Sequence, residues 1–218
     1  MVFADEEKAL HLFEKIGYYR LSGYWYPLLA DKEKHTFKPN ADFETAFCLY
    51  KFDCELRKLI SAEIEKIEVA IRAKMAYELS MAYNMFWIED VSLFTSSHNH
   101  LATLDKINEE YIRSNEEFVI AFKNKYSDPL PPACIILEVT SFGTLSPRKP
   151  QQTWLKDNTI CNNRVYYILS MIIYLLNVIN PKHTFKQKLE ELFAKYPNVD
   201  VAAVGFPTTW RSEPLWIK

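Results

Sequence analysis

"DFETAFCLYKFDCELRKLISAEIEKIEVAIRAKMAYELSMAY", residues 42 to 83, decides the fold class. Leu56, Ile60, Ile64, Ile67, Ile71 and Met75 recur along it at intervals of three and four, which predicts one long helix with these side chains as its core stripe. Outward from it, the pattern predicts helices at 6–15, 98–113, 115–126, 133–142, 163–180 and 184–195. Ser114 stands where it could cap the "NEEFVIAF" stretch, the prolines of "SDPLPPA" break the chain before Ala133, and Pro181 and Pro197 close the last two helices. Only four glycines occur, and no segment alternates apolar with polar residues long enough to suggest a sheet. The expected fold class is therefore all-α, a single helical bundle. Its C-terminal tail, "VGFPTTWRSEPLW", should be pinned by Phe206, Trp210 and Trp216.

Composition narrows the function classes. With 49% hydrophobic and 15% aromatic residues, the 218-residue chain can build a sizeable core. Its 26 basic and 28 acidic residues give a formal charge of −2, so any surface for nucleic acid must be local. Cys48, Cys54, Cys134 and Cys161 are scattered, without a CxxC pair, and read as reduced thiols of a cytoplasmic protein. The acidic N-terminus argues against a secretory signal. "VYYILSMIIYLLNVINP", residues 165–181, is too short and too polar for a membrane span, and reads as a buried central helix.

Two stretches carry candidate binding chemistry. At 100° per residue, Arg57, Ser61, Glu65, Glu68 and Arg72 fall within about 80° on the flank of the long helix. They are either phosphate contacts with orienting carboxylates or a solvated face laced by pairs such as Glu68 with Arg72. In "GYYRLSGYWYP", residues 17–27, Arg20 lies among aromatic rings including Tyr24 and Trp25. Those rings either stack on unpaired bases or anchor the first helix. His98 and His100 in "TSSHNHL" read as surface residues at a helix start, since no acidic or cysteine partner is near enough to complete a metal site. Phosphate loops, GxSxG and HExxH are all absent from the sequence.

Four segments together resemble a known family: "FEKIGYYRLSGYWYPLL", "YKFDCELRKLISAEIEKIEVAIRAKMAYELS", "LEVTSFGTLS" and the stretch from "NNRVYYIL" to "WRSEPLW". They resemble, in order and over most of the chain, the Abi-like abortive-infection proteins of the AbiD and AbiF type. The resemblance implies a bacterial anti-phage protein forming one domain over residues 1–218, with a helical fold related to HEPN domains. It also implies a homodimer acting on RNA without metal or other cofactor and without a membrane, with a small non-coding RNA and a target RNA as partners. Arg20, Tyr24, Trp25, Arg57 and Arg72 become expected RNA contacts, together with Arg148 in the basic, proline-broken stretch "SPRKPQQTW".

The likeness also implies a catalytic signature, an arginine followed after four to six residues by a histidine, between the "SFGTLS" and "NNRVYYIL" segments. Histidine would move the proton of a ribose hydroxyl or leaving oxygen, and arginine would stabilise charge on the phosphate. None of the seven arginines has a histidine at that spacing. Near 146–154 the catalytic segment is either deleted or left out of the sequence; the close family pattern on both flanks favours omission. Two readings follow: a ribonuclease whose active element is missing here, or a non-catalytic scaffold that binds RNA or protein.

Overall fold

The computed structural model describes residues 1–94, 96–145 and 163–217. Ten α-helices account for most of them: α1 Glu6–Ile16, α2 Tyr18–Ser22, α3 Phe43–Ala82, α4 Ser97–Arg113, α5 Glu117–Lys125, α6 Ala133–Val139, α7 Phe142–Leu145, α8 Arg164–Ile179, α9 Phe185–Lys195 and α10 Pro214–Ile217. The fold is all-α, apart from a two-stranded antiparallel hairpin, β1 Leu29–Asp31 with β2 Thr36–Phe37. Among the described residues no helix is long and apolar enough to cross a membrane. Contacts divide the chain into two compact units. Met1–Glu63 packs with the described part of Asn162–Lys218, and the described part of Ile64–Cys161 forms the other.

In the first unit, the Asp5 side chain caps α1 by accepting from the Lys8 amide at 2.9 Å. Gly17 ends that helix at φ +93°, where a side chain would be strained by the backbone alone, since open space surrounds its Cα. Ala9, Leu21 and Phe43 bury together where α1, α2 and the start of α3 meet. Farther along α3, Phe52 stacks on Phe193 and meets Tyr196 edge-on. Glu55 accepts from Lys195 Nζ and the Tyr196 hydroxyl, each at 2.7 Å, and these bonds hold its carboxyl below the usual range. Burial, and then the same acceptor, push the Tyr196 hydroxyl up to about 12. The tail closes this unit as expected: Phe206, Trp210 and Trp216 are buried, and Trp216 Nε1 donates to Ser170 Oγ at 3.1 Å.

The core stripe of α3 is narrower than its sequence suggests. Phe52, Leu56 and Ile67 are buried but Ile64 is 45% exposed, because Glu63 takes the inward position. That acid sits 3.7 Å from Lys188 Nζ on α9, a charge partner that offsets part of its burial.

In the second unit, Trp87, Ile88, Ile107, Ala133, Ile136 and Leu137 form the core. His100 belongs to this interior rather than to the surface. Its Nε2 lies 2.8 Å from the Ile88 carbonyl and its ring stacks on Phe94, whereas His98 is exposed as expected. The helix expected over 133–142 is two, α6 and α7, with Thr140 extended between them. The Thr140 hydroxyl bonds back to the Ile136 carbonyl at 2.7 Å, and Glu110 takes the Ser141 amide at 2.6 Å. Side chains thus satisfy the backbone groups that a continuous helix would have paired.

Candidate functional site

The expected contact residues separate into two clusters. The first unit holds Arg20, Tyr24, Trp25 and Arg57. From α3, Asp53 presents its carboxylate to the Tyr24 hydroxyl at 2.5 Å and to Arg57 Nη2 at 2.9 Å. An acid four residues before an arginine on a helix is the spacing that favours this pair. Burial, followed by the bond to Asp53, raises the Tyr24 hydroxyl well above its ordinary range. Tyr24 packs edge-on to Tyr50, whose hydroxyl is raised by its bond to Cys54 and then by burial, and drawn down by Arg20. Arg57 Nη2 also reaches Cys54 Sγ at 3.4 Å. Arg20, Tyr24 and Arg57 therefore gather around Tyr50, Asp53 and Cys54.

Trp25 serves the fold. It meets Phe13, Tyr18 and Phe37 edge-on, and its indole nitrogen is buried without an acceptor. Of the exposed rings in this stretch, Tyr19 is the most open, 92% exposed beside the exposed Arg20. Sequence reasoning passed over it because adjacent tyrosines are equivalent until the helical phase of α2 is known.

The second cluster lies in the other unit. Arg72 Nη2 donates to the Thr140 carbonyl at 2.9 Å and pairs with Glu68 at 2.7 Å. The pairing expected of a solvated face is present, but the Arg72 side chain is only 16% exposed, and its Nε is buried without a partner. Nearby, the Glu110 carboxylate accepts from the Ser141 amide and hydroxyl and from the Thr144 hydroxyl, at 2.6, 3.0 and 2.8 Å. Burial raises this acid, but those three bonds, with Arg113 close by, outweigh it and hold Glu110 below the usual carboxylate range. Arg72, Glu110, Arg113, Glu138 and Thr140 line an open groove of about 660 Å³. Nothing in the sequence pointed to Glu110, whose partners Ser141 and Thr144 are 31 and 34 residues away, or to Arg113, which lines the same groove.

Arg148 and the 146–154 stretch expected to hold the catalytic segment lie outside the described residues, as does Cys161. Cys48, Cys54 and Cys134 are free thiols. Among the described residues no three His, Cys, Asp or Glu side chains come together as a metal-ligand set.

A family model described as Abi-like protein matches residues 11–191, a span that includes both arginine clusters and the "TSFGTLS" segment. No curated protein and no solved structure matches the chain.

Proposed function

The chain belongs to the Abi-like family, and from that premise we propose that it is an abortive-infection protein of the HEPN-related type that binds RNA and, when its arginine–histidine segment is present, cleaves RNA without metal. The observation that best supports RNA binding is the grouping of Arg20, Tyr24 and Arg57 in the first unit, with the exposed Tyr19 next to Arg20 in the chain. Arg57 keeps half its side chain in solvent despite its pair with Asp53, so a phosphate can be met with little desolvation. The exposed Tyr19 ring offers a π-face to an unpaired base. The 218 residues carry no arginine–histidine signature, so cleavage is assigned to a protein that includes that segment.

Binding of a fluorescent single-stranded RNA, titrated over salt, tests this. Affinity should fall steeply as salt rises, and Arg20→Ala with Arg57→Ala should flatten the log–log slope by about 2, roughly one per phosphate contact. Tyr19→Ala and Tyr24→Ala should weaken binding with little change in slope. Incubation with RNA should leave it intact, with or without EDTA. Efficient cleavage by these 218 residues would overturn the missing-segment argument, and no RNA binding in low salt would overturn the whole reading in favour of a protein-binding scaffold.

A further inference from the structure

The groove beside Arg72 lies within the second unit and carries two kinds of polar group. Those that build its wall are already engaged: Arg72 holds the Thr140 carbonyl and Glu68, and Glu110 holds Ser141 and Thr144. Others that line it are open. Arg113 ends α4 with its Nε on the Glu109 carbonyl at 3.2 Å, which leaves its two terminal nitrogens without an acceptor among the described residues. Glu116, between α4 and α5, and Glu138, near the end of α6, line the same groove. Among the described residues neither carboxylate takes a hydrogen bond or an ion pair. Phe118 on α5 adds a ring that is 43% exposed. At about 660 Å³ the space falls within the roughly 300–1,000 Å³ of small-molecule sites, where a few polar groups converge beside an apolar surface.

We propose that this groove binds a guanine base. A ligand here must offer donors to two carboxylates, acceptors to an arginine fork and a flat face to a ring. Guanine meets all three demands. Its N1–H and N2 amino group are adjacent donors on one edge, and O6 and N7 are adjacent acceptors on the next, the pair that arginine takes bidentately. Its face stacks on an aromatic side chain. Adenine sets the ring acceptor N1 beside its one amino group, so the same edge turns a lone pair toward the carboxylates. Cytosine does so with N3, and uracil flanks its single N–H with two carbonyls. A lysine or arginine side chain of a protein would suit the carboxylates and the ring, but would set its charge against Arg113. Glu116 and Glu138 thus accept from N1–H and the N2 amino group, Arg113 donates to O6 and N7, and Phe118 is the stacking platform. The base is recognised without its phosphate, so a free nucleotide and an unpaired RNA residue both present it. The groove shares no residue with the Arg20–Arg57 cluster, and guanine binding here does not depend on RNA binding there.

Isothermal titration calorimetry of the full chain with guanosine is the test, with adenosine and inosine, which lacks the N2 amino group, run in parallel. Guanosine should bind, inosine should bind about fivefold or more weaker, and adenosine weaker still. Glu116→Ala together with Glu138→Ala should remove the preference for guanosine over adenosine. Phe118→Ala and Arg113→Ala should each weaken guanosine binding about fivefold or more, while Phe118→Tyr, which keeps the ring, should retain it. Lys125→Ala, on α5 outside the groove, should bind as wild type does. Circular dichroism should show equal helicity throughout, since every substituted side chain is exposed. Guanosine monophosphate should bind about as well as guanosine. A single-stranded oligoadenylate carrying one guanosine separates the two sources: if it displaces free guanosine, the groove takes an RNA residue, and if it does not, the groove takes a free nucleotide. No guanosine binding at millimolar concentration would overturn the proposal. So would equal affinity for guanosine and adenosine, or binding of guanosine and adenosine monophosphates alike without binding of guanosine, which would mark a phosphate site. Guanosine affinity unchanged in both the double variant and Phe118→Ala would overturn it as well.

Discussion

Glu110→Ala is expected to destabilise the unit that contains it by about 2–4 kcal/mol, because one side chain satisfies three donors at the joint between α6 and α7. Removing the carboxylate leaves the Ser141 amide and the Ser141 and Thr144 hydroxyls without their acceptor, and Thr144 is almost fully buried. Chemical denaturation followed by circular dichroism measures the loss, and unchanged stability would refute this account of the joint. A pH series with Glu110→Gln adds a sign. The folded pKa of Glu110 lies below its ordinary 4.5, so its ionisation contributes stability that is present above that value and lost as pH falls through the folded pKa. The advantage of wild type over the glutamine variant should therefore be full above about pH 4.5 and shrink on acidification.

Arg72→Ala should cost about 2–3 kcal/mol, through a half-buried carboxylate and a backbone carbonyl each losing a donor. Arg72→Lys should recover only part of this, since a point-like ammonium on an unbranched stem replaces a planar fork reaching two acceptors. Comparing the denaturation midpoints of the three proteins decides the matter; equal midpoints would mean that the Thr140 and Glu68 contacts contribute nothing. The substitution also bears on how an RNA contact proposed for Arg72 is to be probed. A loss of binding in Arg72→Ala carries information only where the variant is shown to be folded.

The long helix was legible to within one residue at each end, 42–83 expected against Phe43–Ala82, because its apolar spacing repeats over many turns. Where one long-range partner decides the structure, local pattern was not enough. Glu63 turns inward toward Lys188 and displaces Ile64, although the isoleucine fits the periodicity better. The break at Thr140 depends on Glu110 and Arg72, both distant in sequence, so "ACIILEVTSF" read as unbroken helix. The β1–β2 hairpin was missed because strands of three and two residues are too short to show alternation. At the candidate site, the sequence brought forward "GYYRLSGYWYP" but could not say how far each ring faces water. Tyr24 is tied to Asp53, Trp25 is packed among other rings, and Tyr19 is the ring most open to solvent.

The aromatic tail also has a spectroscopic consequence. Trp210 and Trp216 lie 4.9 Å apart at 82°, with Phe193, Phe206 and Tyr166 around them. Two indoles so close and so nearly perpendicular couple their electronic transitions, which gives the docked tail its own exciton couplet in the ultraviolet circular dichroism spectrum. Trp87, buried in the second unit, adds a separate emission signal that Trp87→Phe would remove. The protein therefore carries an optical gauge for each unit. Loss of the couplet would mark release of the tail, and a red shift of the Trp87 component would mark opening of the other core.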